Sequence, residues 1–134
     1  MKNKRGISAV IETVLLILIV IAAVGIIAGL VLPMIRTAGE RTSTCLGAMD
    51  IVSAGSSGVT VVNAKGAVTG VAVNFFKADG TAVAGTLSGT FATGAGKSNS
   101  YTVTADTYTK VVVVPTVTTP SAKSVSCSPI EAQI

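Results

Sequence analysis

From Val14 to Leu32 the chain runs nineteen residues without a charge, VLLILIVIAAVGIIAGLVL. As an α-helix at 1.5 Å per residue, this segment spans ~28 Å, close to the ~30 Å hydrocarbon thickness of a bilayer. It is apolar on every side, so it lacks the single stripe of a helix lying on a protein surface. A chain of 134 residues has too little other mass to bury such a rod. Lipid, or further copies of the rod, must cover it.

The rest of the inventory removes whole classes of function. Charged residues make up 12% of the chain, about half the ~25% of an average globular protein. There is no His and no Trp, and only two Cys. Without His the commonest general base and metal ligand is missing, and two cysteines cannot make a four-ligand zinc site. Asp50, Asp79 and Asp106 show no spacing that suggests a paired acid and base. Gly94-Ala95-Gly96-Lys97-Ser98 has the end of a phosphate-binding loop, but that motif needs a glycine five positions before Gly96, where Phe91 stands. The expectation is a non-catalytic protein with no cofactor and no metal.

The net charge of +4 is a local matter. Lys2, Lys4 and Arg5 sit in the first five positions, and beyond residue 6 seven basic side chains face six acidic ones. With no basic stripe and few aromatics for base stacking, the chain does not read as a nucleic-acid binder. A secretory signal peptide also starts basic and turns apolar, but its apolar region runs ~7–15 residues to a small-residue cleavage site. Here apolar character extends from Ile7 to Ile35, and Ala38-Gly39 lies beyond Arg36. A retained membrane anchor passes the length test.

Two local features sharpen the reading. Lys4-Arg5-Gly6 directly precedes Ile7, and a glycine allows a protease to approach the backbone closely. Glu12 lies one turn inside the apolar segment, where a carboxylate costs a few kcal/mol unless paired or protonated. It is either a functional group or a hydrated residue at the lipid interface.

MKNKRG followed by ISAVIETVLLILIVIAAVGIIAGLVL resembles the start of an archaeal type IV pilin precursor, over residues 1 to about 35. The resemblance implies that a prepilin peptidase recognises Lys4 and Arg5 and cuts between Gly6 and Ile7. The apolar helix is then retained, in the membrane before assembly and in the core of a helical homopolymer afterwards. It implies an assembly ATPase and a membrane platform protein as partners, and surface adhesion as the role. The bacterial pattern puts Glu at the fifth mature position. Here Ile11 is fifth and Glu12 sixth, which favours the archaeal branch and leaves open whether Glu12 pairs with the Ile7 amine of a neighbouring subunit. Archaellins, the motility-filament subunits, share this plan and are one alternative. A monomeric signal-anchored surface protein with a ligand-binding β domain is the other.

Within the rod, Gly25 and Gly29 form a G-x-x-x-G pair beside Ala22, Ala23 and Ala28. Small residues let helix backbones approach closely, although they are also common in membrane helices generally. Pro33 lacks an N–H and predicts a kink or a loosened turn. The expected organisation is a leader over 1–6, a helix over 7–44 and a β-rich domain over 45–134.

From Thr42 onward more than a quarter of the residues are Ser or Thr. Val and Thr favour the pleated strand, and Gly, Asn and Asp punctuate it. Strands are predicted over Met49–Ala54, Gly58–Asn63, Val68–Lys77, Thr81–Leu87, Ser100–Thr104, Thr109–Val114 and Lys123–Ser126, with Ala78-Asp79-Gly80 as a hairpin turn. Pro115, Pro120 and Pro129 are expected to end strands. The spacing suggests an antiparallel Ig-like β-sandwich, giving an α+β chain overall. Cys45 and Cys127 bracket this domain. Two cysteines in an extracytoplasmic chain point to a disulfide, stapling the last strand to the end of the helix.

Overall fold

A computed structural model of the chain describes residues 4–134, with side chains from residue 7 onward. Helix α1 runs from Lys4 to Cys45. Nine strands follow: β1 Met49–Gly55, β2 Gly58–Asn63, β3 Val68–Lys77, β4 Ala82–Ala84, β5 Thr86–Leu87, β6 Ser98–Thr102, β7 Tyr108–Thr118, β8 Ser124–Ser126 and β9 Ile130–Gln133. The chain divides between Gly39 and Glu40 into two compact units. The last turn of α1 therefore belongs with the strands.

The strands form two antiparallel sheets, ordered β1-β2-β6-β5 and β4-β3-β7-β8, with β9 also paired to β7. With β4 as an added edge strand, this is the strand order of the immunoglobulin fold, and no barrel closes. The core lies between the inner faces. Met49, Val59, Val61 and Tyr101 from the first sheet meet Val73, Phe75, Val111, Val113 and Val117 from the second. Antibody domains bridge the two sheets with a disulfide; here β2 and β7 carry valines inward instead.

Period-two alternation explains the longest strand. Burial in β7 alternates along Val111 to Thr118, with Val111, Val113, Pro115 and Val117 inward. Val112 and Val114, on the opposite face, are only half-buried within this chain. Phe75 and Tyr108 meet at a ring-centroid distance of 5.4 Å, a separation within the favourable range for aromatic pairs. Two buried amides anchor the loop before β6. Asn63 Nδ2 donates to the Ala92 carbonyl at 2.9 Å, and Asn99 Oδ1 accepts from the Ala92 N–H at 2.7 Å. No buried side-chain polar atom among the described residues lacks a partner.

Four predictions about the strands need correcting. Thr81–Leu87 is two strands in different sheets, because the chain crosses at Gly85, whose N–H donates to the Val73 carbonyl at 2.8 Å. A Cβ at Gly85 would stand 2.9 Å from Phe75 Cε2. The strand predicted at Ser100–Thr104 runs over Ser98–Thr102 instead. Pro115 sits inside β7 opposite Val71. Its carbonyl accepts from the Cys127 N–H at 2.8 Å, so in an antiparallel ladder its nitrogen faces the same edge. There the neighbouring chain is passing from β8 to β9, and the missing donor breaks no continuous ladder. Finally, β9 was not anticipated. Cys127 accordingly lies between β8 and β9 and not on the last strand.

The free edges of both sheets are short or interrupted. β4 has three residues, β5 two and β8 three. β1 is longer but its register with β2 shifts between Ile51 and Ser53, leaving Val52 bulged and 64% exposed.

Candidate assembly site

Within the described rod, side chains from Ile7 to Ile35 make one continuous apolar surface. All the large apolar side chains in that interval are 41–72% exposed, and none is buried by the chain itself. By length and composition α1 is able to cross a membrane. That capacity follows from the run of Leu, Ile and Val. Straight and β-branched apolar residues satisfy their backbone polar groups along the helix and leave only hydrocarbon outside.

Gly25 and Gly29 sit in this surface with ordinary helical backbone. A Cβ at either would meet nothing within 4 Å. A glycine in a helix interior costs about 0.5–1 kcal/mol relative to alanine, and no contact among the described residues requires it at either place. α1 continues through Pro33, so the kink or loosened turn expected there does not end the helix. Gly29, four residues before, has no Pro33 N–H to accept. Thr37 Oγ1 donates to the Pro33 carbonyl at 2.9 Å, and Thr13 Oγ1 to that of Val10 at 2.9 Å. Glu12 is exposed among apolar neighbours, and no described residue bonds its carboxylate.

The Gly6–Ile7 bond lies in the first turn of α1. Cutting it in an extended form would require that turn to unwind, which is cheap at a helix end where the first four N–H groups have no intrahelical partner. Lys4 and Arg5 belong to the same turn. Residues 1–3 of the predicted leader lie outside the described residues.

The helix ends in a set of contacts made within the strand-bearing unit. Cys45 and Cys127 are joined by a disulfide with a Cα–Cα separation of 5.4 Å. Lys65 Nζ donates to the Ser43 carbonyl at 2.6 Å, and Ser121 Oγ donates to Glu40 Oε2. A cavity of about 360 Å³ opens beside the bridge, lined by Leu46, Met49, Pro115 and Ile130 among others. No family model, curated protein or solved structure matches this chain.

On the β domain the polar chemistry is that of turns. Lys77 pairs with Asp106, joining the end of β3 to the loop before β7. The hydrogen bond to Lys77 holds the Asp106 carboxyl below its usual range. Asp79 is lowered by the Thr81 N–H, which donates to its Oδ1 at 2.8 Å. That bond and Gly80, at φ +86°, close the predicted Ala78-Asp79-Gly80 turn. Lys110 lies 5.2 Å from the Phe76 ring centroid and 3.6 Å from Glu131. No group of three or more metal-ligating side chains occurs among the described residues. Gly94–Ser98 forms a turn in which the Gly96 N–H donates to the Asn63 carbonyl at 2.6 Å.

Proposed function

We propose that this chain is the structural, non-catalytic subunit of an extracellular filament of the archaeal type IV pilin kind. Its N-terminal helix packs against identical helices after prepilin-peptidase cleavage at Gly6–Ile7. The observation that supports this reading is an imbalance. The β domain completes its own core and satisfies its buried side-chain polar groups, while the rod leaves its whole apolar surface uncovered.

Burying that surface among sister helices is favourable at ~25 cal/mol per Å² removed from water. A head-to-tail contact that does not close generates a filament, with the β domains facing solvent and serving surface attachment. Gly25 and Gly29 let neighbouring backbones approach, and Glu12 is available as a partner for a neighbouring subunit's new N-terminus. An assembly ATPase and a membrane platform complete the machinery, and the precursor waits in the cytoplasmic membrane.

The test is N-terminal sequencing and electron microscopy of the sheared cell-surface fraction. Filaments whose subunit begins at Ile7 are expected. A solitary species, released only by detergent and beginning at Met1, would overturn the reading in favour of a membrane-anchored surface protein.

A further inference from the structure

The chain leaves α1 at Cys45 and enters the domain through β1. β1 is an edge strand, hydrogen-bonded to β2 alone and bulged at Val52. Any pull transmitted along α1 would therefore fall first on the weakest ladder available, where pairs open one after another from Met49–Asn63. The disulfide offers a second route. Cys127 is covalently tied to Cys45, and its backbone N–H is bonded to Pro115 in β7. β7 has β3 along one side and β8 and β9 along the other.

We infer that the Cys45–Cys127 bridge is a force clamp: it ties the end of α1 to the β8–β9 corner held on the doubly paired strand β7, so that tension is shared with that sheet and cannot peel the edge strand β1 alone. The inference concerns the domain alone. It holds whether the helix is anchored among other helices or in a bilayer, so it stands or falls separately from the filament.

Three features fit the role. The bridge joins residues 82 apart in sequence, so Cys45 cannot leave the domain and start opening β1 unless Cys127 moves with it. It is attached at the last helical residue, before the chain reaches β1. Noncovalent ties that join the final turn to the strand-bearing part include two exposed polar ones, Lys65 to the Ser43 carbonyl and Ser121 to Glu40. Such exposed bonds contribute little each and give way readily under load.

The experiment is single-molecule pulling on the full-length chain held in a nanodisc. One handle is the N-terminus and the other a short tag inserted after Gly80, in the exposed β3–β4 turn, where insertions are tolerated. Each molecule is pulled oxidised, then again after reduction in place. Reduction is expected to lower the force of the first opening several-fold and to add a first step of ~40 Å, the contour length of residues 46–57 at ~3.4 Å each. Equal first-opening forces with and without reductant, or a reduced first step that does not start at β1, would overturn the clamp. Hydrogen exchange on the unloaded reduced chain is the companion measurement. Protection in β3 and β7 is expected to fall with the lost loop constraint but to persist, and its complete loss would overturn the proposal, because the reduced chain would then have no folded sheet to bear force.

Discussion

Tyr108 Oη donates a hydrogen bond to the carbonyl of Thr104, 3.1 Å away and four residues back along the chain. The bond spans the corner where the chain leaves β6 in one sheet and enters β7 in the other. A tyrosine in this place is a known device of immunoglobulin-like sandwiches. It fixes the approach to the central strand from which the second sheet is organised. Replacing Tyr108 by Phe keeps the ring against Phe75 and removes only the bond, so a loss of about 1 kcal/mol is expected in urea unfolding of the full chain. An unchanged midpoint would show that the corner is held by packing alone.

Gly58 separates steric need from packing elsewhere. A Cβ there would lie 2.5 Å from the Tyr101 carbonyl oxygen, a backbone atom that moves only if β2 and β6 separate. Gly58→Ala should cost about 1–3 kcal/mol. Gly25→Ala and Gly29→Ala have open space and should leave the β domain's unfolding curve untouched. Each removes a helix penalty of about 1 kcal/mol. A fall in filament yield with these two substitutions, despite the firmer helix, would be the mark of close helix–helix packing between subunits.

The disulfide should also carry a large share of equilibrium stability. Closing a loop of 82 residues restricts the unfolded chain by about 4–5 kcal/mol on chain-entropy grounds. Denaturant titration with and without reductant is expected to show a lower midpoint and a transition that remains cooperative. A shift below ~1 kcal/mol would place most of the constraint in residual structure of the unfolded chain.

Acid and alkali should act on different residues. Asp106 is held below its ordinary value by Lys77, so its contribution is present above the usual carboxylate range and is lost as pH falls. Because the pair is exposed, the effect is small and disappears in high salt. Asp106→Asn should flatten the acid limb of a stability–pH curve. Burial raises the Tyr101 hydroxyl above its ordinary value of 10.0. Its contribution is therefore complete below that value and is lost as pH rises between the unfolded and folded values. Lys77 is raised by the same Asp106 partner, so the alkaline limb has two sources. Tyr101→Phe should remove one of them; an alkaline limb unchanged in that variant would contradict the assignment.

Much of this architecture is readable from residue order, and the exceptions have physical causes. β2 and β3 match their predicted bounds because turn residues bracket them: Lys65-Gly66 after the first and Asp79-Gly80 after the second. The helix is legible from its charge-free run, whose length no strand or loop explains. Pro115 is misread because the rule against proline in a strand assumes that a partner needs its N–H, and here the partner strand is itself broken at that point. The division at Gly85 is invisible locally, since Thr81–Leu87 alternates like one strand and only the packing of Phe75 and Val73 shows where it must cross. β9 follows Pro129 and is four residues long, too short to register without β7 beside it. The cysteines announce a bridge by number, whereas the place of Cys127 between two strands depends on tertiary contacts. At the rod, Gly25, Gly29 and Glu12 are conspicuous in sequence because the single chain offers them nothing to touch.

The brevity of the sheet borders has a further result. Domains crowded around a common axis would meet one another at very high local concentration, the condition under which unpaired strand rims recruit each other into runaway aggregates. A rim made of two- and three-residue strands, and one interrupted by the protruding Val52, gives an intruding strand no long straight template. In the proposed filament, close neighbours of this kind would therefore stand shoulder to shoulder and stay separately folded.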